Sequence, residues 1–206
     1  MRKIAESTVR RLSLYLRFLE EFELQGASTV SSEALASRGG TTSAQVRKDL
    51  SFFGSFGKRG LGYQVGALKT QLREILGLGR RYRVVVVGAG KIGSALVQYG
   101  GFRARGFDLV AIYDKDPKKI GRQWDGLTVR DAALLDKELT EHQADIGAVV
   151  TPAEAAQGVA DRLVASGITA ILNFAPVQLQ VPEHVTVKTV NLVLELEALS
   201  YVLANR

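Results

Sequence analysis

The 206-residue chain contains no cysteine. It therefore has no disulfide framework, no thiolate zinc site and no thiol-based redox sensor. No apolar run approaches the roughly 18 residues needed to span a bilayer, and no apolar secretion signal follows the N-terminus. His, Asp and Glu do not occur at metal-ligand spacing either. These absences predict a cytoplasmic protein without a membrane or a metal as partner.

Acidic residues are scarce in the first part of the chain. Residues 1–80 carry 13 Lys and Arg against 7 Asp and Glu, whereas residues 81–206 carry 14 of each. The whole net charge of +6 therefore lies in the first 80 residues. This asymmetry predicts two domains, of which the first binds a polyanion. Charge alone leaves open a solvated basic surface without a partner.

The N-terminal pattern predicts a winged helix-turn-helix. A helical period over residues 6–25 is followed by a short helix that Ser32 caps, and then by a helix that begins at Thr42. Thr42 and Gln45 match a capping box. The glycine-rich stretch 54–65 alternates apolar residues as a hairpin does, with a basic tip. Helix, turn, helix and hairpin together indicate DNA binding, although a helical domain for protein contact remains the alternative.

The third helix is predicted to enter the major groove. There Gln45 can pair with adenine, and Arg47 or Lys48 can pair with guanine acceptors or phosphates. The hairpin tip, Lys58 and Arg59, suits a narrow minor groove, and Ser32 and Thr42 suit phosphates. The predicted DNA-contacting residues are Ser32, Thr42, Gln45, Arg47, Lys48, Ser51, Lys58 and Arg59.

The second half is predicted to be a parallel α/β sheet of the Rossmann type. Short β-rich runs alternate there with helical segments. The first run, Val84–Val87, leads directly into Gly88-Ala89-Gly90-Lys91-Ile92-Gly93. This is the G-x-G-x-x-G motif in its strand–turn–helix context, which binds a dinucleotide pyrophosphate at a helix N-terminus.

Asp114 lies 21 residues beyond Gly93, at the end of a predicted strand. A carboxylate there accepts hydrogen bonds from the ribose hydroxyls and repels a 2′-phosphate, which favours NAD over NADP. Lys115, Lys118 and Lys119 weaken that preference, and a surface turn is the alternative role of Asp114. The predicted cofactor-binding residues are Gly88, Ala89, Gly90, Lys91, Ile92, Gly93, Asp114, Lys115, Thr151, Pro152, Asn173 and Phe174. The last four follow strands and are also common loop residues.

No catalytic residue is evident. Both histidines, His142 and His184, are predicted to be surface residues, and neither ends a strand. The chain has no Tyr-x-x-x-Lys pair and no serine nucleophile elbow. A cofactor domain without an acid–base residue, joined to a basic domain, indicates a sensor rather than an enzyme. Two rivals remain: an NAD-dependent oxidoreductase with an appended basic domain, and a CoA-binding module of the ligase type.

Several long strings of the sequence resemble the Rex family of redox-sensing transcriptional repressors. They are residues 44–51, 53–57, 59–63, 88–93, 152–157 and 171–177. The resemblance implies a winged-helix domain over residues 1–78, a Rossmann domain over 79–190 and a C-terminal helix within 191–206 that is swapped between subunits. It further implies a homodimer that binds a palindromic double-stranded DNA operator. NAD⁺ permits this binding, and NADH releases the protein from the operator. The stripe of Leu192, Leu196, Leu199 and Leu203 suits a swapped helix.

The resemblance also implies three switch residues. Tyr99 matches a tyrosine of the switch, and Arg17 matches an arginine that faces the partner subunit. Family members often carry Asp at the position of Asn191, where it can pair with either of the other two. An Asn can hydrogen-bond to both but forms no ion pair, and a charge-assisted bond is worth ~1.5–3 kcal/mol against ~1 for a neutral one. We therefore expect the coupling between NADH binding and operator affinity to be weaker, or to be shared with other contacts.

Overall fold

The computed structural model describes residues 4–54, 56–58 and 61–205. The chain divides into two compact units, Met1–Arg80 and Arg81–Arg206. The division falls two residues after the boundary expected from the sequence, and the C-terminal helix groups with the second unit.

The first unit is a bundle of helices with a small antiparallel sheet. Its elements are α1 (Glu6–Leu24), β1 (Thr29–Val30), α2 (Ser32–Gly39), α3 (Ser43–Ser51), β2 (Gly57–Lys58), β3 (Gly62–Gln64) and α4 (Val65–Ile75). The strand order is β1-β3-β2. Leu12, Leu16 and Leu19 of α1 are buried against Val46 and Leu50 of α3, because apolar residues recur at helical spacing on both.

The helix caps of this unit follow local chemistry. The Thr42 hydroxyl accepts the Gln45 backbone N–H at 3.1 Å, as the sequence predicts. The predicted cap of α2 was wrong by one residue, because the Ser31 hydroxyl accepts the Ala34 N–H and Ser32 is already helical. Gly40, at φ 58°, ends α2 in the left-handed region.

The second unit is a seven-stranded sheet with helices on its faces. Its elements are β4 (Tyr82–Val87), α5 (Lys91–Gln98), α6 (Gly101–Ala104), β5 (Phe107–Asp114), β6 (Gln123–Trp124), β7 (Leu127–Asp131), α7 (Leu135–His142), β8 (Ile146–Val149), α8 (Ala153–Ala165), β9 (Ala170–Asn173), β10 (Thr186–Thr189) and α9 (Leu192–Ala204). The order is β10-β9-β8-β4-β5-β7-β6, with only β6 antiparallel to its neighbour. β4 lies between β8 and β5, so strand order reverses there and opens a crevice at the carboxyl ends.

Side chains alternate between the two faces of the sheet. Val85 and Val87 pack with Leu163 of α8 on one face. Val86 packs with Val97 of α5 on the other face, where Trp124 of β6 also lies against the cluster. This alternation places the glycine turn after β4 between two packed layers.

The α5 face also contains an apolar groove of about 310 Å³. Leu96 of α5 and Phe102 of α6 line it, together with strand residues that include Val84, Ile146 and Leu172. Its lining is almost entirely apolar, which is unusual for a surface that faces water.

Helix α9 has no buried side chain. Its predicted leucine stripe is exposed, and so are the large side chains between the leucines, among them Val193, Leu194, Tyr201 and Val202. The helix is therefore apolar nearly all round rather than along one stripe, and such a helix is normally enclosed by other protein. Within the part of the chain that the structure describes, no helix is long and apolar enough to cross a bilayer.

Candidate dinucleotide crevice and nucleic-acid interface

The glycine turn after β4 has the geometry that a phosphate cradle requires. Gly88 adopts φ 113°, and a side chain there would collide with the Val150 carbonyl oxygen. A side chain at Gly93 would collide with the Gly88 carbonyl oxygen, so α5 packs closely on the turn. At Gly90, the N-cap of α5, a Cβ would meet nothing within 4 Å. Gly90 therefore leaves room that the fold itself does not fill, beside the helix N-terminus.

A crevice of about 910 Å³ opens at the carboxyl ends of the strands. Its lining includes most of the predicted cofactor residues. These are Gly88, Gly90, Lys91, Ile92, Asp114, Lys115, Thr151, Pro152 and Phe174. Ala89 and Gly93 are buried beneath the turn and shape it without lining it.

Asp114 ends β5 at the crevice and is 8% exposed. Its Oδ2 accepts the Ala89 N–H at 2.7 Å and the Lys119 ammonium at 3.0 Å, and its Oδ1 accepts the Asp116 N–H at 2.8 Å. Burial raises the pKa of Asp114, but these donors outweigh it and hold the pKa below its ordinary value. The carboxylate is ionised, and three donors already occupy most of its acceptor positions.

Thr151 supplies an unused donor in the crevice. Its Oγ1 is buried and has no hydrogen-bond partner among the residues that the structure describes. A buried hydroxyl without a partner costs about 1–3 kcal/mol, and a polar ligand atom would remove that cost. This hydroxyl and the open space at Gly90 both fit a bound dinucleotide.

Two sequence predictions about polar residues are corrected by burial. Asn173 is fully buried and does not face the crevice. Its amide holds the following loop by donating to Val177 O and accepting from Ala175 N. His142 is also not a surface residue, since its side chain is 14% exposed and lies against the Tyr113 ring. His184 is exposed, as predicted.

The crevice lining carries few groups that could exchange a proton. Its titratable members are Lys91, Asp114, Lys115, Asp116 and Lys119. Phe174 and the two prolines, Pro152 and Pro176, form an apolar end. In the described ranges, no cluster of His, Asp and Glu has the geometry of a metal site.

Helix α3 presents part of the predicted DNA surface. Arg47 and Lys48 are exposed. The Arg47 guanidinium donates to Ser32 Oγ at 2.9 Å and lies 3.4 Å from a Glu33 carboxylate oxygen. Ser51 is exposed, and its hydroxyl donates to the Lys48 carbonyl. The Thr42 hydroxyl is engaged as the helix cap.

Ser32 does not fit its predicted role, because it is 7% exposed and bonded to Arg47. Lys58 lies in β2, but its side chain and the whole of Arg59 fall outside the described residues. The predicted minor-groove tip is therefore not described by the structure.

Sequence reasoning missed a buried network beneath α3. Asp49 is 3% exposed and accepts hydrogen bonds from Arg11, Tyr15 and Gln45. Gln45 was predicted to read adenine, yet its amide nitrogen donates to Asp49 Oδ1 at 2.8 Å. Only Gln45, four residues earlier on the same helix, was a visible signal, because Arg11 and Tyr15 lie 38 and 34 positions away.

The three implied switch residues occupy exposed or partly exposed positions. Tyr99 ends α5 with 61% of its surface exposed and contacts the Phe102 ring edge-on. Arg17 is exposed on α1. Asn191 caps α9 by accepting the Val193 N–H at 3.0 Å.

A winged-helix unit with an exposed basic helix, followed by a sheet with a dinucleotide-type crevice, defines the class of ligand-responsive DNA-binding regulators. Two family models match: a putative DNA-binding protein N-terminus over residues 3–51 and a CoA binding domain over residues 80–177. The redox-sensing transcriptional repressor Rex of Syntrophomonas wolfei is 49% identical over 98% of this chain and 96% of its own length. Rex of Carboxydothermus hydrogenoformans is 48% identical over 97% and 96%. The chain belongs to the Rex family of redox-sensing transcriptional repressors, which confirms the predicted family.

Solved structures confirm the predicted DNA-binding domain followed by a Rossmann-type sheet, whereas the exchange of the C-terminal helix stays a prediction. RSP in complex with beta-NAD+ and operator DNA has a TM-score of 0.94 and 37% identity, with 100% of this chain and 94% of that chain covered. RSP in complex with beta-NADH has a TM-score of 0.90 and 36% identity, with 100% and 96% covered.

Proposed function

We propose that this protein binds a palindromic operator as a homodimer, represses transcription there, and is released when NADH replaces NAD⁺ in the crevice. The observation that carries the proposal is a dinucleotide-type crevice without an acid–base residue at its apolar end, in a chain whose other unit holds the whole positive charge excess. Because such a repressor acts on the genome, we propose a cytoplasmic location.

On the DNA side, Arg47 and Lys48 are proposed to reach the bases and phosphates, with Gln45, Ser51 and the hairpin residues Lys58 and Arg59 beside them. Arg47 must exchange its bonds to Ser32 and Glu33 for DNA. Losing the pair with Glu33 costs little, because that pair is exposed and such pairs are worth ~0–1 kcal/mol.

On the cofactor side, the turn from Gly88 to Gly93 is proposed to hold the pyrophosphate, and Asp114 the ribose. Lys91 at the start of α5 and Lys115 flank these groups. The Thr151 hydroxyl, Pro152 and Phe174 are left for the nicotinamide end. Asn173 supports that end through the loop that its amide holds.

The bound dinucleotide would supply the redox signal, since NAD⁺ and NADH differ in the charge and planarity of the nicotinamide ring. An apolar surface around Phe174 favours the neutral ring, because burying an unpaired charge is costly. Release follows if NADH binds the DNA-incompetent arrangement more tightly. A tenfold change in operator affinity requires ~1.4 kcal/mol of such coupling.

The dimer is proposed to form by exchange of α9. The helix is apolar nearly all round and exposed, and the groove beside Leu96 and Phe102 is apolar and open. A second copy of α9 is the occupant that matches both surfaces. Tyr99, Arg17 and Asn191 are proposed to relay the cofactor state, with Asn191 giving weaker coupling than an acid.

The rival oxidoreductase would need a proton donor beside the nicotinamide. The crevice lining described above offers no His, Tyr or Glu, and its carboxylates lie at the ribose end. We therefore propose that the protein is not an enzyme. The CoA-binding rival would need a phosphate-acceptor histidine, and neither histidine lines the crevice.

The test is operator binding with and without NADH. A duplex is first selected by the full-length protein from a random pool at low salt. We expect a complex that NAD⁺ leaves intact and that NADH weakens at least tenfold. NADPH is the control nucleotide and is expected to act only at higher concentration. Equal effects of NAD⁺ and NADH, or failure to select any duplex, would overturn the proposal.

A further inference from the structure

Asp49 is a buried carboxylate on the helix that is proposed to read DNA. Its side chain is 3% exposed, whereas its neighbour Lys48 is exposed. Oδ2 accepts Arg11 Nε at 2.6 Å and the Tyr15 hydroxyl at 3.0 Å. Oδ1 accepts Arg11 Nη2 at 2.8 Å and Gln45 Nε2 at 2.8 Å. Four donors saturate the carboxylate, so Asp49 cannot itself contact a base or a phosphate.

The bonds to Arg11 fix one helix on another. Arg11 belongs to α1 and meets Asp49 through two parallel N–H groups, a planar arrangement that defines orientation as well as distance. Burial raises the pKa of Asp49, but hydrogen bonds from Arg11, Gln45 and Tyr15 outweigh it and leave the pKa below its ordinary value. The pair is therefore ionised at neutral pH, where the α1–α3 junction is held by a charge-assisted clamp.

The bond to Gln45 fixes the group that α3 offers to DNA. A free glutamine rotates its amide and can exchange donor for acceptor. Here one N–H of Gln45 is held by Asp49, so the amide plane is set and the remaining N–H and the carbonyl oxygen have defined directions. A base edge discriminates between sequences only when donor and acceptor are presented in a fixed order.

We infer that Asp49 is a positioning residue for sequence discrimination: it clamps α3 to α1 through Arg11 and Tyr15 and orients the Gln45 amide toward the operator bases. The inference deepens the proposed function and depends on it. Asp49 acts through Gln45 and through the orientation of α3, and not through the phosphate contacts that dominate non-specific affinity.

The experiment compares the full-length protein with Asp49→Asn on two duplexes of equal length, the selected operator and a scrambled sequence. We expect the ratio of the two affinities to fall about tenfold. The slope of log affinity against log salt should stay unchanged, because no phosphate contact is lost. Loss of a phosphate-binding lysine would instead lower that slope by about one. Glu21→Gln, which breaks the exposed Arg38–Glu21 pair between α1 and α2, is the matched control and should leave both quantities unchanged.

Two further variants keep the test decisive if Asp49→Asn folds poorly. Tyr15→Phe removes one donor and keeps the buried ring, so a smaller fall in discrimination is expected. Gln45→Ala should also lower the discrimination, and the double variant with Asp49→Asn should lose less than the two single losses combined, because part of the effect of Asp49 passes through the Gln45 amide.

The outcomes separate the two ideas. If the wild type discriminates and Asp49→Asn keeps its ratio, or loses affinity equally for both duplexes, the positioning role is overturned and the proposed function stands. If the wild type itself does not distinguish the operator from the scrambled duplex, the proposed function fails and this inference fails with it.

Discussion

At the scale of single residues, the glycines after β4 serve different purposes. Gly88 is required by its positive φ and by the carbonyl of Val150. Gly93 is required by the carbonyl of Gly88, which a methyl group would strike. Gly90 meets no such demand within the fold, since its φ of −85° suits any residue and the space around it is open. The open space at Gly90 therefore has a reason only when a ligand is bound.

Substitution by alanine should separate these purposes. Gly90→Ala is expected to keep the thermal midpoint and to lower NADH affinity at least tenfold, because the methyl group enters the space proposed for the pyrophosphate. Gly93→Ala is expected to destabilise the second unit by about 2 kcal/mol or more, because backbone atoms must move. Thermal unfolding by circular dichroism and an NADH titration measure both. Full NADH affinity in Gly90→Ala would show that the pyrophosphate lies elsewhere.

Residue roles could be predicted when the relevant partner was local. The cap at Thr42 and the G-x-G-x-x-G turn follow from neighbours within six positions. The partners of Gln45 and Asn173 could not be predicted in this way, because their amides bond to Asp49 and to the 175–177 loop. Contacts such as that of Arg11 with Asp49 join residues far apart in the sequence, so no local sequence pattern predicts them.

At the scale of elements, α9 is the part of the chain least explained by its own fold. Leu192, Leu196, Leu199 and Leu203 are each at least 59% exposed. Burying a leucine side chain is worth about 1.5–3 kcal/mol, so a helix with this many exposed ones gains strongly from a partner. The apolar groove on the α5 face offers the complementary surface.

Leu199→Glu is expected to dissociate the dimer. A charge carried into an apolar groove is costly, and we expect the dimer dissociation constant to rise at least tenfold. Ser200→Glu adds the same charge at a position that is already polar, and it should leave the dimer intact. Sedimentation velocity at several concentrations measures both variants. A Leu199→Glu protein that remains dimeric would show that α9 is not the interface.

Most elements could be predicted from periodicity, because buried strands and amphipathic helices carry clear patterns. The strands β1 and β6 could not, since each has two residues and no period can be read from two positions. The apolar stripe predicted on α9 is also too narrow. The leucine spacing indicates one face only, whereas Tyr201 and Val202 extend the apolar surface around the helix.

At the scale of the whole molecule, charge divides as the fold does. The first 80 residues carry the full excess of +6, and the remainder is neutral. Polyanion binding and cofactor binding should therefore respond differently to ionic strength.

Raising salt from 50 to 200 mM should lower operator affinity by about 10³-fold or more, as expected for six or more phosphate contacts, because the release of condensed counterions gains less entropy at higher salt. NADH affinity should change far less, since it depends on a crevice with charges of both signs. Fluorescence anisotropy of labelled operator and NADH titration supply the two curves, with a neutral osmolyte as control. Operator binding that ignores salt would contradict the charge assignment.

The position of Trp124 gives the protein a built-in optical probe. It is the chain's single tryptophan, and it lies in β6 against the sheet cluster of the second unit. Indole emission therefore reports the unfolding of the cofactor unit alone, because the winged-helix unit contains no tryptophan and gives no indole emission. Fluorescence and far-ultraviolet circular dichroism recorded on one sample would thus show whether the two units unfold together or in sequence, without any label.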